Sequence, residues 1–134
     1  MYIEHIGISV VNPLEMADWY VKNLGFTILR KIHKGDKADA VFIADSLSNS
    51  VIELLCEPGL EQVGNLISNP SQLHFAFFCD DPKSDCDRLV GVGARFDSET
   101  KSAPGDILLM LRDPWNNVIQ LVKRQKPLIN KPEA

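Results

Sequence analysis

Asn49-Ser50-Val51-Ile52-Glu53-Leu54-Leu55 returns 67 residues later as Asn116-Asn117-Val118-Ile119-Gln120-Leu121-Val122. Both stretches are apolar strands broken by one polar side chain, Glu53 in the first and Gln120 in the second. A second pair of landmarks recurs at almost the same distance. His5 is followed by Pro13 and His74 by Pro82, each eight residues on, and the two pairs lie 69 residues apart. Self-similarity at a nearly constant offset marks a duplicated supersecondary unit.

Outward from these anchors the first unit reads β-α-β-β-β. Ile3 to Val10 alternates, with Ile6, Ile8 and Val10 on one face and His5, Gly7 and Ser9 on the other, which predicts a half-buried strand. Asn12, Pro13 and Glu15 form a helix start, Leu14, Ala17, Tyr20, Val21 and Leu24 a stripe, and Gly25 a stop. Phe26 to Ile32 predicts a strand, polar His33 to Asp39 a hairpin loop, and Ala40 to Ala44 and Val51 to Cys56 two further strands. Glu57 to Gln72, with Pro58, Gly59, Gly64 and Pro70, reads as a connector with a short helix near Leu60 to Ile67. The pattern then repeats. Leu73 to Cys79 is a strand, Asp80 or Asp81 caps a helix that Gly91 and Gly93 end, and Ala94 to Asp97, Ile107 to Leu111 and Val118 to Val122 follow as strands. These boundaries give one domain over 1–124, made of modules 1–56 and 73–123 joined by connector 57–72, with a flexible tail at 125–134. Neither module is expected to be stable alone, because each would expose its sheet face.

Composition agrees with such a chain. It has 134 residues, 45% hydrophobic and 24% charged, which are globular values. The net charge of −4 opposes non-specific nucleic-acid binding, which needs a basic footprint. Arg30, Arg95 and Arg112 could each bind an anion or be a plain surface charge. Cys56, Cys79 and Cys86 have no C-x-x-C spacing and read as buried free thiols in a reducing compartment. The start lacks a signal-peptide pattern, and the longest apolar run, Ile107 to Leu111, is far too short to span a bilayer. The expected location is the cytoplasm, without membrane or nucleic-acid partners.

The duplication singles out four polar residues: His5, Glu53, His74 and Gln120. A carboxylate inside Val-Ile-Glu-Leu-Leu costs several kcal/mol unless a cation or hydrogen bonds compensate. Two imidazoles with carboxylate and amide oxygens form a donor set for a divalent transition metal. His33 has no such partner and is expected to be solvated.

At these residues the chain resembles the vicinal oxygen chelate superfamily of glyoxalase I, methylmalonyl-CoA epimerase, extradiol dioxygenases, and fosfomycin- and bleomycin-resistance proteins. The marks are His5-Ile6-Gly7-Ile8-Ser9-Val10, Trp19-Tyr20-x-x-x-Leu24-Gly25-Phe26, Val51-Ile52-Glu53-Leu54, Leu73-His74-Phe75-Ala76-Phe77, and Asp113-Pro114-Trp115-Asn116-Asn117-Val118-Ile119-Gln120-Leu121. The resemblance implies an α+β fold in which two tandem βαβββ modules form a cupped mixed sheet around a metal, commonly within a homodimer. Bacterial glyoxalase I is most similar in length and layout. Its pattern implies metal ligands at His5, Glu53, His74 and Gln120, with Zn or Ni first and Co, Mn or Fe as alternatives. The fourth ligand is normally Glu, and Gln120 cannot transfer a proton, so the acid/base role falls to Glu53. The expected function is a metal-dependent, glyoxalase I-like lyase or isomerase acting on a small oxygen-chelating substrate. The alternatives are an epimerase of the methylmalonyl-CoA type and a non-catalytic binder of a small molecule such as an antibiotic. Gly7, Ser9 and Ala76 share the parity of the histidines and would leave room for the substrate.

Overall fold

The computed structural model describes residues 1–35 and 37–129. They form two compact units, Met1–Ser68 and Asn69–Ala134. Of the expected tail, 130–134 lies outside the described residues, as does Asp36 in the expected hairpin loop.

The first unit contains β1 (Ile6–Ser9), α1 (Pro13–Leu24), β2 (Thr27–Lys34), β3 (Lys37–Ala44) and β4 (Val51–Leu55), then a 3₁₀ turn at Val63–Leu66. Its sheet has the order β1-β4-β3-β2, with β1 parallel to β4 and the other pairs antiparallel. The second unit contains β5 (Phe75–Phe78), α2 (Pro82–Val90), β6 (Arg95–Thr100), β7 (Ile107–Arg112) and β8 (Val118–Lys123), in the equivalent order β5-β8-β7-β6. The βαβββ pattern is therefore present twice.

The duplication extends to local chemistry. Asn12 accepts a hydrogen bond from the Glu15 amide and Asp81 one from the Ser84 amide, each just before a proline that opens its helix. A side-chain acceptor at that position satisfies an amide the helix cannot. Before β4, Asp45 accepts from the Asn49 and Ser50 amides; before β8, Asp113 accepts from the Trp115 and Asn117 amides. Ser48 and Asn116 hold the left-handed backbone position of these two turns.

Each helix covers one face of its own sheet. α1 buries Pro13, Met16, Ala17 and Tyr20, and lies against β2, β3 and β4. Opposite it Val41, Ile43, Ile52, Leu54 and Ile8 are buried. The buried stripe thus runs through Met16, whereas Val21, expected within it, is exposed. α2 buries Pro82, Cys86 and Leu89 against β6, β7 and β8, where Leu109, Leu111, Ile119 and Leu121 are buried.

Several boundaries differ from the sequence reading, β6 for one running to Thr100 where the strand was expected to end at Asp97. The expected loop His33–Asp39 is mostly strand, because edge-strand backbone pairs whatever its side chains, and Gly35 at φ 75 permits a tight turn. His33 lies in β2 and is exposed. The expected helix in the connector is one short 3₁₀ turn, in a segment punctuated by Pro58, Gly59 and Gly64. The first strand of each unit is shorter than expected, since pairing begins at Ile6 and Phe75. His5 and His74 each stand one residue before a strand rather than within it. No helix among the described residues is long and apolar enough to cross a membrane.

The three cysteines are free, Cys86 buried and Cys56 and Cys79 half-buried. Burial, then the negative charge of Asp85, pushes the Cys79 thiol up from 9.0 to about 11. The neutral thiol is favoured in the native state, so its contribution to stability is fully present below pH 9.0 and is lost as pH rises towards about 11. Native protein at pH 8.5 should therefore alkylate with iodoacetamide much more slowly at Cys79 than an unfolded control does, as read by mass spectrometry. Equal rates would contradict this placement of the thiol.

Candidate functional site

The site face of the first unit is the sheet face opposite α1. Strand register sets Gly7, Glu53, Phe42 and Arg30 side by side across it. His5 shares the parity of Gly7, and its Nε2 lies 3.9 Å from Glu53 Oε1. The His5 ring also meets Phe42 edge to face at 5.4 Å. A β-carbon on Gly7 would stand 3.3 Å from Glu53 Oε1, so the glycine leaves the space the carboxylate uses. Ser9 Oγ is committed to the Glu61 carbonyl at 2.8 Å, which ties the connector to β1 instead of leaving the hydroxyl free for a ligand.

Glu53 is the unusual member. Its side chain is 19% exposed, yet no hydrogen-bond donor among the described residues reaches its carboxylate. A separation of 3.9 Å from His5 is too long for a hydrogen bond. It is compatible with two donors of one ion, since ligands at about 2.0–2.2 Å from Zn²⁺ lie at most about 4.4 Å apart.

In the second unit Ala76, Gln120, Met110 and Ser98 form the equivalent row. Gln120 is buried at 6% exposure. His74 Nδ1 lies 2.9 Å from the Pro70 carbonyl, which can only accept, so Nδ1 is the donor of this pair. His5 Nδ1 lies 3.2 Å from Glu4 Oε2, an ion-pair contact to an exposed side chain and not a hydrogen bond. An acceptor on Nδ1 is what orients an imidazole to ligate through Nε2.

The structure thus pairs His5 with Glu53 in one unit, and in the other sets Gln120 beside Ala76, two residues after His74. Among the described residues no group of three or more His, Cys, Asp or Glu side chains is gathered to hold a metal. Two hollows accompany the rows. One of about 310 Å³ in the first unit is lined by Glu4, His5, Leu29, Arg30, Phe42 and Val51. Another of about 610 Å³ in the second unit is mostly apolar, lined by Ala76, Phe78, Val122, Arg124 and Pro127 to Ile129. Sequence reasoning did not single out Phe42, whose place beside Glu53 depends on register, or Leu128 and Ile129.

The Glyoxalase/Bleomycin resistance protein/Dioxygenase superfamily model matches residues 2–121. The chain belongs to this superfamily. Three solved structures illustrate the shared architecture. TnmS3, an antibiotic binding protein from Streptomyces sp. CB03234, is 25% identical with a TM-score of 0.58, covering 90% of this chain and 96% of its own. A glyoxalase family protein from Bacillus cereus is 15% identical with a TM-score of 0.74, covering 91% of this chain and 93% of its own. The fosfomycin resistance protein FosX from Listeria monocytogenes is 14% identical with a TM-score of 0.67, covering 91% of this chain and 92% of its own. No curated protein matches the chain. The superfamily includes both enzymes and small-molecule binders, so the choice between them rests on the residues of this chain.

Proposed function

We propose that this superfamily member is a metal-dependent lyase or isomerase of the glyoxalase I kind, moving a proton on a small substrate that chelates through oxygen. The observation that carries the reading is the half-buried carboxylate of Glu53, with no hydrogen-bond donor among the described residues, beside His5 Nε2 in space left by Gly7. His5, Glu53, His74 and Gln120 would hold a divalent ion, with Zn²⁺ or Ni²⁺ first among those that suit two imidazoles and oxygen donors. Such an ion, when bound, polarises a substrate oxygen and stabilises negative charge on it.

The remaining chemistry belongs to the side chains. Glu53 takes a proton from one substrate carbon and returns it to the neighbouring one, acting as base and then as acid. Gln120 has a carboxamide that cannot ionise, so it serves as an oxygen donor only. His74 Nδ1 is held by the Pro70 carbonyl, which leaves Nε2 as the ligating nitrogen of that ring, and His5 Nε2 faces Glu53. Two His, one Glu and one Gln is also a donor set that an epimerase of the methylmalonyl-CoA type would use. The resemblance further supports a homodimer acting on a small molecule in the cytoplasm.

A second reading, a non-catalytic binder, is favoured by one specific combination: the apolar hollow of about 610 Å³ in the second unit and the 25% identity to an antibiotic binding protein. Metal titration separates the two. With Zn²⁺ or Ni²⁺ added to metal-free protein at about a hundred times Kd, the enzyme reading expects stabilisation of about 2.7 kcal/mol and a melting temperature several degrees higher. The double variant His5→Ala/His74→Ala should lose that shift. No shift with Zn²⁺, Ni²⁺, Co²⁺ or Mn²⁺ would count for the binder.

A further inference from the structure

We propose that Arg30 is a substrate-binding residue that holds a carboxylate in the first unit's hollow, so that the substrate is a small carboxylic acid. This rests on the reading above in taking the His5–Glu53 face as the reaction site.

The backbone supplies the first argument. Ile28 pairs with Ile43 and Arg30 with Phe42, so Leu29 is an extra residue in β2. Strict alternation would put Arg30 on the face of Ile28, towards α1. The bulge turns it to the face of Phe42 and Glu53, which is what an inserted residue does to the side chains after it. The second unit repeats the bulge, with Phe96 paired to Leu111 and Ser98 to Met110. There the two bulge positions are Asp97 and Ser98, and Ser98 Oγ donates to Asp97 Oδ2 at 2.8 Å. The same backbone device thus presents a cation in the first unit and a self-satisfied polar pair in the second.

The second argument is partnership. Arg88 pairs with Asp85, Arg124 with Asp106, Arg95 with the Asn116 side chain and Arg112 with the Asn116 carbonyl. Arg30 has no acid or carbonyl partner among the described residues. It lines the hollow of about 310 Å³ with His5, whose walls include the apolar Leu29, Phe42 and Val51. That volume is at the small end of ligand sites, which run from roughly 300 to 1,000 Å³.

Charge selects the ligand. The hollow also carries Glu4, engaged by His5 Nδ1, and the carboxylate of Glu53 stands on the same face. A dianionic phosphoryl group would meet one cation and two carboxylates. A singly charged, planar carboxylate matches one guanidinium fork and adds less repulsion. With its carboxylate on Arg30 and its apolar body over Phe42, the acid would present its reacting carbons to His5 and Glu53.

The test is a titration of the metal-free full chain with benzoate, benzamide and phenylphosphonate, followed by the Arg30 side-chain N–H signal and the backbone amides of Phe42 and Val51. Benzoate should move all three and bind at least about tenfold more tightly than either other probe. Arg30→Ala should abolish the preference over benzamide and Arg30→Lys should weaken it several-fold. Arg30 is exposed, so these variants should melt with the wild type. Equal binding of benzoate and benzamide, a preference that survives Arg30→Ala, or tighter binding of phenylphosphonate would overturn the proposal. Because no metal is present, this outcome is read independently of the metal titration: benzoate selectivity without metal binding would leave the subsite standing and remove the enzyme reading.

Discussion

Glu53→Ala should weaken Zn²⁺ binding by about a hundredfold or more, while Glu53→Gln weakens it less and removes proton transfer. The expectation follows from what surrounds the carboxylate. No donor among the described residues satisfies it, His5 Nε2 is 3.9 Å away, and Gly7 gives it room. Changes one layer outside a metal's ligands cost roughly 10–100-fold in affinity, so loss of a ligand should cost at least the upper part of that range. Gln keeps an oxygen in place but cannot accept a proton from carbon. Activity on a hemithioacetal, or on whichever acid Arg30 admits, should therefore fall by about 10²- to 10⁴-fold. Calorimetric titration of the three proteins measures the first effect. Unchanged affinity in Glu53→Ala would remove Glu53 from the ligand set, and retained turnover in Glu53→Gln would remove it from the chemistry.

Asp113→Ala should be the most damaging change to stability outside the apolar core. The side chain is fully buried, at 0% exposure. Its Oδ1 accepts from the Trp115 and Asn117 amides, both at 2.9 Å, and its Oδ2 accepts from Asn117 Nδ2 at 3.1 Å. Truncation removes the carboxylate acceptor shared by the buried Asn117 amide and side chain and by the part-buried Trp115 amide, each bond worth roughly 1–3 kcal/mol, for an expected loss of about 3–5 kcal/mol. The matching residue of the first unit, Asp45, accepts from two amides in a more exposed turn, and Asp45→Ala should cost only about 1 kcal/mol. Urea unfolding of both variants checks the difference. Equal losses would mean that burial does not set the strength of these turns.

Much of this was legible because the chain states it twice. The offsets of the His-Pro pairs and of the Val-Ile-Glu-Leu and Val-Ile-Gln-Leu strands located equivalent elements, and the caps at Asn12 and Asp81 fell where side-chain acceptors preceded Pro13 and Pro82. Strand parity set His5 with Gly7, and it is pairing that places Gly7 beside Glu53. What escaped reading depends on pairing rather than composition. Polar His33 and Lys34 looked like loop, although backbone hydrogen bonds are indifferent to side chains at a sheet edge. Phe42 joins Glu53 only through a register set by the turn at Asp45 to Ser50. Arg30 was one of three undistinguished arginines, because a bulge at Leu29 adds a residue without any mark in the sequence. In α1, Met16 took the core position over Val21 because the buried arc runs through Pro13, Ala17 and Tyr20.

The central claim is that His5, Glu53, His74 and Gln120 serve one divalent ion. A crystal structure of the Zn²⁺- or Ni²⁺-loaded protein, with anomalous scattering recorded at the metal edge, tests it most directly. The prediction is one strong peak per chain, ligated by Nε2 of both histidines, by Glu53 and by the Gln120 carboxamide oxygen. A peak at other residues, ligation through Nδ1, or no peak under saturating metal would contradict it.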